Sequence, residues 1–278
     1  MGNAIVFKTA ATTTAVGLTK LKRDELLSGL GAGAVPFLFD FGFPWCWPAG
    51  VNPVNGNTVK DISETADGSW NVAGASPVFA GNGIDFTGLL ARADVRGPVG
   101  CLTDINTTER FMVVLYAKLP ASVDWASASI KTMFQSAASA YTTGADLLTI
   151  SQSHPTTDFI SARRQTNGGS TVSELQVAMG ANYYGQVCQI GYWRNAAGTG
   201  LRVKSALGAV ISTSAIGSDN TGDFSATQPK WGNPPAFAAA NNHRLYRGWV
   251  ENLSISGRDP LTVLDADWTR VAARAVFS

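Results

Sequence analysis

The stretch Phe111-Met-Val-Val-Leu-Tyr-Ala117 is apolar at odd and even positions alike. Successive side chains of a β-strand point to opposite faces, so a strand of this kind must be covered on both sides. It is also much shorter than the ~20 residues a membrane-crossing helix requires. The segment therefore reads as a central strand in a layered β structure, and the rest of the chain must supply the layers.

From Val35 onward it does so. Short apolar runs alternate with the dipeptides that turns prefer, such as Asn55-Gly56, Asp67-Gly68 and Asn167-Gly168. Candidate strands lie at 35–41, 58–62, 83–86, 110–118, 130–135, 145–152, 157–163, 172–179, 186–194, 200–205, 208–212 and 244–256. This is the pattern of a sandwich or barrel. Charged residues are only 15% of the chain, against ~25% in ordinary soluble domains. That excludes a helical bundle, whose outer faces need Lys, Glu and Arg. A 45% apolar content with net charge +1 excludes a disordered chain, and shows no basic footprint for nucleic acid. The expected core contains Phe86, Phe111, Val113, Leu115, Ile190, Trp249, Leu253 and Ile255. One helix closes the chain. Leu264, Trp268, Val271, Ala272 and Ala275 form its apolar face, Asp265 or Asp267 favours its start, and Arg270 and Arg274 its end.

Residues 1–35 differ in character. A small, polar threonine-rich run is followed by LKRDELLSGL, in which Leu21, Leu26, Leu27 and Leu30 fit one short amphipathic helix, broken by Gly29, Gly31 and Gly33. Such a segment buries too little to order itself. We expect an arm over 1–35 that anchors a head over 36–278. Its four leucines dock on a partner, identical subunits included, and Lys20, Lys22 and Arg23 form a charged rim. The alternative is that the arm packs across its own sandwich and covers an edge strand.

Tests for chemistry leave no catalytic, cofactor-binding or metal residue assigned. Cys46, Cys101 and Cys188 are odd in number and widely spaced, which suits buried thiols of a chain folded in a reducing cytoplasm. The start lacks a basic leader followed by an apolar run. Gly29-x-Gly31-x-x-Ala34 lacks the strand–turn–helix setting of a nucleotide loop. His154 and His243, the two histidines, read as structural, and there is no Gly-x-Ser-x-Gly elbow. Glycoside hydrolysis needs two acids flanking one bond. Asp61 with Glu64 reads as a solvated turn and Asp265 with Asp267 as a helix cap, so neither pair fits. Asp219, Asn220 and Asp223 are the best calcium candidates and read as a turn. Trp45 and Trp47 in FGFPWCWPAG, and Trp125 in ASVDWASAS, are the candidates for ligand or partner contact, with packing as their alternative.

From residue 36 the chain presents, in order, FLFDFGFP…NGNTVKDIS, GNGIDFTG, RFMVVLYAKLP, YGQVCQIGYWRNAAGTGLRVKSALGAVIS and RLYRGWVENLSISGRDPLTVLDADWTRVAA. This order of elements resembles the laminin G-like branch of the concanavalin A-like lectin/glucanase superfamily, with Gly248 and the Leu253-Ser-Ile255 alternation matching its closing strand. The resemblance implies an all-β fold: a two-sheet antiparallel jelly-roll sandwich with a short C-terminal helix, preceded here by the extended N-terminal arm. Domains of this kind are carried by lectins, adhesion proteins, glucanases and accessory proteins of tailed phages, and a fold alone does not select among them. The glucanase acids are missing. We expect a non-enzymatic structural or adhesion protein of a tailed-phage virion, made in the host cytoplasm, without cofactor and without membrane insertion. Its arm would join other virion proteins, and its lectin-like head could meet a host-surface glycan. A carbohydrate-binding module is the alternative, and a glycoside hydrolase a further one.

Overall fold

A computed structural model describes residues 24–103, 105, 109–125, 130–136, 148–153, 157–166, 171–219, 225–235, 241–274 and 276–278. In chain order the strands are β1 (Phe37–Asp40), β2 (Thr58–Val59), β3 (Gly68–Val72), β4 (Val78–Ala80), β5 (Gly83–Asp85), β6 (Ala93–Arg96), β7 (Phe111–Lys118) and β8 (Lys131–Ser136). There follow β9 (Leu148–Ser153), β10 (Phe159–Thr166), β11 (Thr171–Ala178), β12 (Val187–Arg194), β13 (Thr199–Ser205), β14 (Gly208–Ser214), β15 (Pro229–Asn233) and β16 (Arg244–Asn252).

They form two antiparallel eight-stranded sheets, a jelly-roll sandwich. The first runs β14-β13-β12-β7-β16-β5-β4, and β1 shares one side of β16 with β5. The second runs β11-β10-β9-β8-β15-β6-β3-β2. The all-apolar segment is β7, between β12 and β16 and buried along its length up to Lys118. Leu115 lies opposite Ile190 on one side and Gly248 on the other. Leu115→Ala should cost about 3 kcal/mol, a buried leucine's transfer energy plus its cavity, read as a lower denaturation midpoint; wild-type stability would mean that this strand is not central.

Trp231 of β15 couples the layers. Its ring centroid lies 5.2 Å from Phe39 and 5.8 Å from Phe37 of the first sheet, and 5.0 Å from Phe134 of its own. The approach leaves no room at Gly248, where a Cβ would meet Phe39 and the Trp231 Nε1 at 2.8 Å. The outer side of the first sheet is covered by the helix Pro260–Arg274. Leu264 fits over Gly191, and Trp268 stacks on Tyr116 at 6.1 Å.

Four expectations are corrected. The last strand stops at Asn252, not at 256, because the Asn252 carboxamide oxygen accepts the Ser254 and Ile255 N–H groups and starts a one-turn helix, Leu253–Ser256. Ile255 is consequently 45% exposed and outside the core, whereas the other seven expected core residues are buried. The closing helix begins at Pro260, with the Asp259 carboxylate accepting the Thr262 N–H and hydroxyl at 2.8 Å. Asp265 and Asp267 thus sit inside the helix and cap nothing. Strands β3, β4, β6 and β15 lie outside every sequence-based span.

The fourth correction concerns the arm. Leu26 and Leu27 are buried against the chain's own body and Leu30 is half-buried. Arg258 donates to the Leu26 carbonyl at 2.9 Å, and the Asn252 N–H donates to the Ala34 carbonyl at 2.8 Å. Residues 24–35 therefore belong to the sandwich, because their leucines and Asp24 find partners within it. Leu21, Lys20, Lys22 and Arg23 lie outside the described residues.

Candidate functional site

Strands β5, β7, β8 and β16 bring one terminus each to the same end of the sandwich. Antiparallel pairing sets Lys118, last in β7, directly opposite Arg244, first in β16, and Arg244 opposite Asp85, last in β5. Lys131 opens β8 from the second sheet. Between these termini lies an open cleft of about 550 Å³, lined also by Thr87, Gly88, Leu119, Pro120, Ala121, Asp124, Gly185, Asn241 and Asn242.

Its floor is built by Asn241-Asn242-His243. Asn241 is fully buried, and its amide nitrogen lies 2.9 Å from the Thr132 carbonyl and 3.0 Å from that of Gly232, pinning the segment to the second sheet. Asn242 donates to the Asp124 carbonyl. The Oδ1 atoms of both asparagines are buried without a hydrogen-bond partner among the described residues. His243 is 1% exposed, stacked on Phe86 at 5.2 Å, and neither ring nitrogen has a hydrogen-bond partner among the described residues. Burial drives its pKa down to about 3, with Asp85 opposing and Lys131 adding to the shift, so the ring is neutral.

The charges are unevenly matched. Arg244 directs Nε and Nη2 to one Asp85 oxygen at 3.2 and 3.0 Å, and Nη1 to the Ser278 carbonyl at 2.6 Å. Burial pushes the Asp85 pKa up, but hydrogen bonds from Thr87 and the Arg244 guanidinium outweigh it, leaving it below the usual carboxylate value. Lys131 is only 7% exposed. Burial lowers its pKa while Asp124 pulls the other way. The arrangement offers amide oxygens, an ionised carboxylate and ammonium groups to a ligand.

None of these residues was singled out from sequence as a site. The available signal was two adjacent asparagines and a histidine just before the final strand. Of the three tryptophans put forward, Trp47 is 2% exposed with its Nε1 donating to the Val51 carbonyl at 2.9 Å, and Trp125 is 1% exposed with its Nε1 on the Ser153 carbonyl at 3.0 Å. Both rings are taken up by packing, Trp47 against Trp70 and Trp125 against Tyr184. Trp45, against Phe43, keeps a partly exposed ring.

The acid pairs also resolve into structural roles. Asp61 is fully buried, not in a solvated turn; it accepts the N–H groups of Leu38, Ser63, Thr65 and Ala66 and so ties the 61–66 loop to β1. Asp265 pairs with Arg202 and Lys204 at 3.0 and 2.6 Å, and Asp267 is buried beneath the helix. Asp219 pairs with Arg194 at 2.5 Å; Asn220, Asp223 and His154 lie outside the described residues. Among the described residues no cluster of His, Cys, Asp and Glu has the makings of a metal site. The three cysteines are free thiols, Cys46 and Cys188 buried and Cys101 partly so.

No protein-family model matches the chain, and no curated protein matches it either. Solved structures do. The botulinum neurotoxin serotype D binding domain superposes with a TM-score of 0.52 at 10% identity, over 79% of this chain and 48% of that one. The CBM2 module of the Lactobacillus casei BL23 phage J-1 evolved Dit does so at 0.46 and 12%, over 79% and 95%. Lectin II from Ulex europaeus gives 0.43 and 10%, over 66% and 92%. This chain spans about half of the toxin structure it matches. At such identities the likeness is one of fold.

Proposed function

We propose that this chain is a non-enzymatic, saccharide-binding head of a tailed-phage virion protein, and that the end cleft is its binding site. The observation that carries the reading is the polar lining of the cleft: Asn241 and Asn242 on its floor, Lys118 and Lys131 at its wall, beside the Asp85 carboxylate. A sugar's hydroxyls both donate and accept hydrogen bonds, so they suit a lining that mixes amides, a carboxylate and ammonium groups. The virion setting rests on the resemblance of the sequence to heads carried by phage accessory proteins. Residues 1–23, ahead of the docked segment, are the proposed attachment to other virion proteins or identical subunits.

A hydrolase would need a protonated general acid at neutral pH, one whose pKa is raised. Asp85 is shifted the other way, which favours binding over cleavage.

A glycan array probed with the full chain tests the proposal. Wild type is expected to bind a discrete set of saccharides, and Asn242→Ala to weaken that binding about tenfold, the worth of one hydrogen bond plus the group it leaves unpaired. An array without signal would defeat the reading. Polysaccharide turnover abolished by Asp85→Asn would replace it with the glycosidase.

A further inference from the structure

We infer that the saccharide taken by the cleft is acidic, and that its carboxylate or phosphate group seats between Lys131 and Lys118; this rests on the saccharide-binding role proposed above. The cleft gathers three cations, Lys118, Lys131 and Arg244, against two acids, Asp85 and Asp124. Arg244 is already committed, to Asp85 and to the Ser278 carbonyl. Asp85 is committed to Arg244 in return. That leaves two lysines against the one remaining acid, Asp124, which attracts Lys131. Among the described residues neither forms an ion pair or hydrogen bond; Lys131 is nine-tenths buried as a residue and Lys118 half-buried.

The fold does not ease this imbalance. Like charges directly opposite on neighbouring strands repel, yet register sets Lys118 across from Arg244. A neutral sugar would leave two lysines sharing the single charge of Asp124. An anionic group satisfies both, through charge-assisted hydrogen bonds about twice as strong as neutral ones. Three donors on each ammonium suit a carboxylate and a phosphate equally, so the source of the charge is a matter for the experiment.

The test is a glycan array in which each uronic or other carboxylated saccharide stands beside its methyl ester, and each phosphorylated saccharide beside its dephosphorylated form. Full-length wild type, Lys131→Met and Lys118→Gln are titrated over it, with thermal melting of each variant as the control for folding. Wild type should bind acidic members about tenfold or more tightly than their neutral counterparts. Lys131→Met should reduce acid binding to the neutral level while melting no lower than wild type; should it fail to fold, Lys118→Gln carries the same test. The carboxylate and phosphate arms tell the two sources apart. Equal binding of charged and neutral members, unmoved by either lysine variant but lost in Asn242→Ala, would overturn the anion and leave the saccharide site standing. Absence of binding on every arm would overturn both.

Discussion

Arg247→Ala is expected to remove about 3–5 kcal/mol of folding stability, the loss typical when one partner of a buried ion pair is deleted. Arg247 projects from β16 with its side chain wholly buried, and reaches Asp24 at 2.8 Å, Asp40 at 3.1 Å and Asp267 at 3.0 Å. These acids come from three different places: the docked N-terminal segment, the first strand and the closing helix. Burial opposes the charge on Arg247, but the three carboxylates overcome it and hold its pKa well above the ordinary value. The guanidinium also lies 5.3 Å from the Trp249 ring. Arg270 and Arg274 touch the rim of the network, at 3.2 Å from Asp267 and 2.8 Å from Asp40, and cannot replace its centre. Without Arg247, Asp40 and Asp267 keep buried charge with only these partly exposed arginines and the neutral donors Gly42 N–H and Tyr116 hydroxyl. Arg247→Met restores volume but not charge, and should lose nearly as much as the alanine variant. Denaturant titration reads both; a loss under about 1 kcal/mol would mean that the helix and the N-terminal segment are held by packing alone.

Acid should destabilise the protein from pH 6.5 downward, through His243. An unfolded histidine takes up a proton near pH 6.5, whereas the buried ring does so only at about 3. Between these values the unfolded state binds more protons, so stability is fully present above pH 6.5 and falls as pH drops. The slope is about 1.4 kcal/mol per pH unit, reaching ~4 kcal/mol by pH 3.5. His243→Phe, which keeps a ring against Phe86, should flatten the profile over that window. An unchanged profile in the variant would mean that the acid sensitivity lies elsewhere.

The sequence showed the fold where residues act locally. Periodicity placed β7, β12 and β13 within a residue of their observed limits, since apolar alternation reports burial directly. It missed β3, β6 and β15, where single large residues, Trp70, Val95 and Trp231, stand among Gly, Ser, Asp and Pro. A lone tryptophan facing a sheet across the core leaves no periodic trace. It misjudged Asp61 and Asp267 for a related reason: a buried acid is recognised by partners 23 and 20 residues away, Leu38 and Arg247. The cleft was illegible because it is assembled from four strand ends distant in the chain. Tryptophans in loops drew attention as ligand contacts, yet two of the three satisfy their N–H groups inside the protein.

The most direct test of the saccharide-binding role is a hydrogen-exchange footprint of the chain with and without the tightest saccharide found on the array. The cleft predicts slowed exchange at Thr87–Gly88, Leu119–Asp124 and Asn241–Arg244, with the outer strands β9, β10 and β11 unchanged. Protection confined to those outer strands, or to the loop around Trp45, would contradict it.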